Sequence, residues 1–150
     1  MAYKELSGTY GERIYGSLHT NGFEALDTVC LTSDAKHCVE NFQWFAVTFQ
    51  DGGIAPYKDG ILGLTNVYNK YETGPSMIWK MFEQKIIEEP VFAFYLAGSG
   101  EDSYFDAGSI QNSAMKDPNK IAVLEVVEDS PWWANYVRAV AFNGIEYILN

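Results

Sequence analysis

Two long runs of β-forming residues, with a pair of cysteines where the runs meet, constrain the fold of this 150-residue chain more than any other feature. The first run, GFEALDTVCLT (22–32), alternates apolar and polar residues and carries branched side chains. The second run, NFQWFAVTFQ (41–50), is dense in aromatic and β-branched residues. Both compositions are typical of β-strands. We therefore predict a chain built mostly from strands.

The two cysteines, Cys30 and Cys38, stand eight positions apart around LTSDAKH. This spacing does not match the common zinc sites, and the sequence holds no second pair to complete one. We expect a local disulfide that closes a hairpin loop, the alternative being two free thiols. A disulfide would indicate maturation in an oxidising compartment. Because the start, MAYKELSGTY, lacks the architecture of a signal peptide, we expect the true N-terminus to lie elsewhere.

Further strands are predicted in EEPVFAFYLAG (88–98), NKIAVLEVVE (119–128) and ANYVRAVAFNGIEYIL (134–149), the last folded about an Asn-Gly hairpin turn. One stretch, GPSMIWKMFEQKIIEEP (74–90), instead spaces its apolar residues as on one face of a helix. We predict an amphipathic helix that starts at Pro75-Ser76 and is ended by Pro90. Met77, Ile78, Met81, Phe82 and Ile86 stand at helical spacing, and the stripe of residues 77, 78, 81 and 82 would face the core.

Composition excludes several classes of partner. Hydrophobic residues make up 47% and charged residues 20% of the chain, which is typical of a folded domain. With a net charge of −10, the chain could not neutralise the phosphates of a nucleic acid, so no such partner is expected. Lysine and arginine are scattered singly, and no apolar run has the length of a transmembrane helix, so no membrane partner is expected either.

The run DGILGL (Asp59 to Leu64) is apolar and is broken by Gly60 and Gly63. It is too short for a helix and too apolar for a solvated loop. We expect a buried, sharply bent segment in which each glycine lets backbone pass where a side chain would clash.

In their order along nearly the whole chain, these segments resemble the pepsin-like aspartic proteases. IYGSLHTNGFEALDTV (14–29) resembles the flap, a Tyr-Gly hairpin that closes over substrate and runs into a strand ending in Asp-Thr-Val. DGILGL resembles the buried segment behind a catalytic aspartate, and the helix and EPVFAFYLAG (89–98) follow as in the family. WWANYVRAVAFNG (132–144) resembles the stretch that opens the second lobe.

The resemblance implies a mostly β, bilobal fold of which this chain is a partial domain. Residues 1–104 would form the N-terminal lobe with the flap and one short helix. Residues 105–130 would form the inter-lobe strands, and residues 131–150 would start the C-terminal lobe. Since that lobe is represented by one apolar hairpin, we expect the chain alone to be prone to aggregation.

The resemblance also implies an endopeptidase that acts at acidic pH through water held between two aspartates, with no metal or cofactor. Each aspartate stands in an Asp-Thr/Ser-Gly motif, and the sequence has none; Asp106-Ala107-Gly108 lacks the hydroxyl. The chain alone is therefore expected to be inactive, with both catalytic residues in the remainder of a parent chain. The implied partners are peptide or protein substrates, and the implied location is secreted, lysosomal or vacuolar. The alternative is an inactive relative that binds peptide or acts as a scaffold.

Substrate contacts are expected, by resemblance, from the flap and from two cleft positions. Tyr15 stands at the family spacing from Asp-Thr-Val, although Tyr10 is also followed by glycine. Gly16 and Ser17 would supply polar contacts, although Leu18 and His19 follow where flaps prefer Gly, Ser or Thr. Ile61 could line the primary pocket. One residue of Trp132-Trp133, assigned here as Trp132, would wall the cleft while the other would be buried.

Overall fold

A computed structural model describes residues 3–52, 60–66, 76–111, 115–128, 130 and 132–148. These ranges contain eight strands and one helix, so the chain is mostly β as predicted. In chain order the elements are β1 (Lys4–Glu5), β2 (Gly11–Tyr15), β3 (Leu18–Cys30), β4 (Cys38–Asp51), α1 (Met77–Glu83), β5 (Phe92–Tyr95), β6 (Tyr104–Ala107), β7 (Ala139–Phe142) and β8 (Ile145–Ile148).

The largest sheet is centred on β3. Strands β1 and β2 occupy successive parts of one edge of β3, and β4 runs antiparallel along its other edge. The β3–β4 pairing extends from His19 opposite Asp51 to Cys30 opposite Cys38, with β-bulges near Gly22 and Val29. The two predicted runs thus form one long hairpin whose last paired residues are Cys30 and Cys38, which confirms the prediction.

The hydrophobic core lies between β4 and α1. One side of the helix is buried against the start of β4, because its apolar residues recur at the helical period. The buried core residues are Val39, Phe42, Met77, Ile78, Met81 and Ile87. In the described ranges no helix has the length and apolar character needed to cross a membrane.

The helix is shorter than predicted, since it ends at Glu83 rather than near Pro90. Lys85 adopts a left-handed φ of 57°, and its N–H donates to the carbonyl of Phe82. The N–H of Ile86 donates to the carbonyl of Met81 at 2.9 Å, which completes a Schellman cap. Phe82 is 39% exposed, so its predicted place in the core is wrong.

Two small hairpins follow, β5–β6 and β7–β8. The second turns at Asn143 (φ 48°) and Gly144 (φ 77°), and two positive φ values are the mark of the type I′ turn that was predicted. The strand predicted at 119–128 is not formed, because none of the described strands pairs with this segment. Val123 is 89% exposed there, so β-branched composition alone does not produce a strand.

Candidate functional site

The hairpin β2–β3 carries the residues assigned to the flap. Tyr15 ends β2 directly opposite Leu18, so Gly16 and Ser17 form a two-residue turn. Gly16 has a φ of 63°, which glycine adopts without strain at the first central position of a type II′ turn. Tyr15 therefore lies at the tip of the hairpin. Tyr10 precedes the opposite end of β2.

A polar cluster lies on the face of the hairpin that carries Tyr15. Arg13 stands two residues before Tyr15 in β2, so the two side chains share a face. The Arg13 guanidinium forms an ion pair with Glu24 of β3 and lies 4.8 Å from the ring centre of Phe45. The hydroxyl of Thr20 donates to the carbonyl oxygen of Arg13 at 2.9 Å. These contacts join β2, β3 and β4 behind the tip.

The cluster was missed by sequence reasoning. Glu24 is buried, with 7% of its surface exposed, and a charged residue is seldom buried unless it is paired. The available signal was Glu24 itself, a charged residue at a position that the alternation of the run assigns to the core. Its partner Arg13 could not be identified without the register of β2 against β3.

The opposite face of the hairpin carries a second, exposed pair. His19 Nδ1 lies 3.2 Å from Glu12 Oε1, a diagonal contact between neighbouring strands. Among the residues that the structure describes, no cluster of three or more His, Cys, Asp or Glu side chains could hold a metal ion.

The disulfide between Cys30 and Cys38 is formed, as predicted. It joins residues that are directly opposite in the β3–β4 register, where the loop 31–37 begins and ends. Within the loop, the Thr32 hydroxyl donates to Asp34 Oδ1 at 2.5 Å, and the Lys36 N–H donates to the same oxygen at 3.2 Å. These hydrogen bonds, Thr32 first, hold the pKa of Asp34 below its ordinary value of 3.8.

The segment that holds Ile61 is more exposed to solvent than the sequence predicts. Ile61 is 64% exposed and Leu62 is 44% exposed, so these two residues of DGILGL are not buried, whereas Leu64 is partly buried against the core cluster. A β-carbon built on Gly60 or Gly63 would meet no atom within 4 Å, so neither glycine is required by close packing. Burial therefore differs from residue to residue along this run, because it depends on the neighbours that each side chain meets rather than on apolar composition.

The two tryptophans are held against this segment. Trp133 Nε1 donates to the carbonyl oxygen of Leu64 at 2.6 Å, and its ring meets Phe92 edge-on at 5.6 Å between centroids. Asn66 Nδ2 donates to the carbonyl oxygen of Trp132 at 3.3 Å. The segments of Ile61 and Trp132 are thus brought together. Trp132 and Trp133 are 74% and 56% exposed, so the expectation that one of the pair would be buried is wrong for this chain.

Two aspartates outside the assigned site have local roles. Asp106 lies in β6 opposite Ala93 and accepts a hydrogen bond from Gln111 at 3.0 Å. Asp27 accepts the backbone N–H of Thr28 at 2.7 Å. Asp59 lies outside the described residues.

A four-stranded sheet with a tyrosine-tipped hairpin, followed by one short helix and smaller β-hairpins, defines the class as a pepsin-like β fold. The profile of the eukaryotic aspartyl protease family matches residues 2–148. Vacuolar protease A of Neurospora crassa is 30% identical over 139 residues, which cover 89% of this chain and 33% of that protein. The chain belongs to the eukaryotic aspartyl protease family. It spans about a third of the length of this curated relative.

Proposed function

We propose that the chain is the central section of an aspartic endopeptidase that hydrolyses peptide bonds at acidic pH. The observation that carries the proposal is the flap-like hairpin: Tyr15 at its tip, a Gly16-Ser17 turn and a sheet that supports it from β4. The family match over residues 2–148 supplies the reaction class.

The reaction requires two aspartates that share a proton, because two like charges so close together cannot both be ionised. The sequence contains no Asp-Thr-Gly or Asp-Ser-Gly, so we place both catalytic aspartates outside these 150 residues. One carboxylate would take a proton from water while the other carboxyl group protonates the carbonyl of the scissile peptide. This chain would bind and cover the substrate.

In this proposal Tyr15 covers the bound peptide and excludes water from the reacting bond. Gly16 offers backbone groups, and Ser17 offers a hydroxyl, to the peptide backbone. Ile61 and Trp132 contribute apolar surface to the cleft. Their exposed side chains, 64% and 74%, leave that surface available to substrate.

The division of the chain remains a prediction, with an N-terminal lobe at 1–104, an inter-lobe segment at 105–130 and the start of a second lobe at 131–150. We also propose a secreted, lysosomal or vacuolar location. The disulfide supports an oxidising route of maturation, and the relative's name, vacuolar protease A, supports a vacuole.

The test is the intact mass and activity of the protein from its native source. We expect a mass well above 16.9 kDa, flanking sequence with two Asp-Thr/Ser-Gly motifs, and acid proteolysis that a statine-type inhibitor blocks. A protein of 16.9 kDa that binds peptide without cleaving it would contradict the proposal. That result would favour an inactive binding or scaffold protein, in which the absence of Asp-Thr-Gly and Asp-Ser-Gly from these 150 residues would account for the lack of cleavage.

A further inference from the structure

A small pocket lies where the segment 60–66, the start of α1 and the Trp133 ring meet. Its volume is about 80 Å³, and its lining includes Asn66, Ser76, Ile78, Phe92 and Trp133. The walls are mostly apolar, and two of the polar groups that reach the pocket come from Asn66 and Ser76.

Among the described residues, Asn66 and Ser76 each have one side-chain oxygen that makes no hydrogen bond. Asn66 Oδ1 and Ser76 Oγ are buried, and neither has a hydrogen-bond partner within the described part of the chain. Ser76 is 3% exposed and stands at the N-cap of α1, yet its hydroxyl makes no capping hydrogen bond. A buried hydroxyl or amide oxygen without a partner is unfavourable, and most such groups in folded proteins are satisfied by protein or water.

The orientation of the Asn66 amide is fixed by its other contact. Asn66 Nδ2 faces the carbonyl oxygen of Trp132 at 3.3 Å, and a carbonyl oxygen can only accept. Turning the amide over would place two acceptors against each other. Oδ1 is therefore an acceptor, and the Ser76 hydroxyl can both donate and accept.

We propose that this pocket is a binding site for ordered water, which bridges Asn66 Oδ1 and Ser76 Oγ. Liquid water occupies about 30 Å³ per molecule, so the pocket is large enough for about two to three molecules. An apolar ligand would leave both oxygens unpaired. Water donates to Oδ1 and exchanges a hydrogen bond with Oγ, and so ties the segment 60–66 to the helix start.

The inference is independent of peptidase activity, since its test measures hydration and stability. In the full-length protein, Ser76→Ala and Asn66→Leu should each increase the unfolding equilibrium constant. Both substitutions break the same bridge. The increase in the unfolding constant of the double variant should therefore be smaller than the product of the two single increases, by about twofold or more. Ser33→Ala, in the exposed loop 31–37, is the matched control and should change the constant little.

If the pocket holds no water, Ser76→Ala should change the unfolding equilibrium constant in the opposite direction. Ser76→Ala would then remove a buried hydroxyl that has no partner, and its unfolding constant would be lower than that of the unsubstituted protein. The effects of Ser76→Ala and Asn66→Leu on this constant would simply multiply in the double variant. A crystal structure of the unsubstituted protein provides a second test that requires no variant to fold. We expect solvent density within about 3.2 Å of both oxygens; density that contacts neither oxygen overturns the proposal.

Discussion

The backbone of Gly52 lies directly against the carbonyl oxygen of Ser17 at the tip of the flap hairpin. A β-carbon built on Gly52 would come within 2.3 Å of that oxygen. Gly52 also has a φ of 73°, a conformation that side-chain-bearing residues adopt at a cost. The end of β4 therefore limits where the hairpin tip can lie.

Gly52→Ala should displace the hairpin tip and destabilise the protein by about 1–2 kcal/mol, through left-handed backbone strain and the clash. We expect faster hydrogen exchange of the amides near Ser17 and a lower denaturation midpoint. Gly60→Ala is the matched control, because its β-carbon would meet nothing within 4 Å and its φ is not positive. Equal effects of the two substitutions would contradict the role of Gly52.

Tyr15→Ala in the full-length protein should lower kcat/KM for a peptide substrate by about tenfold or more, since positioning losses can reach about 100-fold. The reason is that Tyr15, at the hairpin tip, would no longer cover the substrate. Tyr10→Ala is the control and should change kcat/KM by less than about twofold, because Tyr10 lies at the other end of β2. A larger loss with Tyr10→Ala would assign the flap tyrosine to that residue instead.

Replacing Cys30 and Cys38 by serine should destabilise the fold by about 2.5 kcal/mol, the entropy of closing so short a loop in the unfolded chain. Urea denaturation of the oxidised protein and of the double serine variant measures the difference. Reduction with a thiol should reproduce the same loss in the unsubstituted protein and have no effect on the variant. A variant as stable as the parent would show that the β3–β4 pairing alone fixes the loop.

Thr32→Val should raise the pKa of Asp34 toward 3.8, because it removes the hydroxyl that contributes most to lowering it. In the folded protein this pKa is lower than in the unfolded chain. The ionised Asp34 carboxylate therefore stabilises the fold above the pKa that Asp34 has in the unfolded chain. This stabilisation is lost as the pH falls through the pKa of Asp34 in the folded protein. An NMR titration of the Asp34 carboxyl gives the midpoint, with Thr28→Val as control. A midpoint at or above 3.8 in the unsubstituted protein would contradict the hydrogen bonding described for the loop.

The sequence predicted those features that depend on neighbours in the chain. Alternation identified β3 and β4, the spacing of the cysteines identified the disulfide, and Asn143-Gly144 identified a turn that needs two positive φ values. Each of these signals is local, so each could be recognised without the fold. The hairpin tipped by Tyr15 was expected from the resemblance to the family and not from a local turn signal.

The errors arose where the outcome depends on distant partners. Lysine has no preference for a left-handed φ, so nothing marked Lys85 as the end of α1. The segments 60–64 and 119–128 have apolar or β-branched composition, but burial and strand pairing require neighbours that composition does not specify. The Arg13–Glu24 pair likewise depends on how β2 registers against β3.

The hydrogen bond from Trp133 to Leu64 has a consequence for the order of folding. Its partners are 69 positions apart, whereas the disulfide joins residues only eight apart. Loop closure between distant residues costs more chain entropy, so we expect the β3–β4 hairpin to form early and the Trp133 contact late. On a ribosome the hairpin could fold before Trp133 has been synthesised. Trp133→Phe should then speed unfolding with little change in the folding rate, whereas a slower folding rate would place this contact in the transition state.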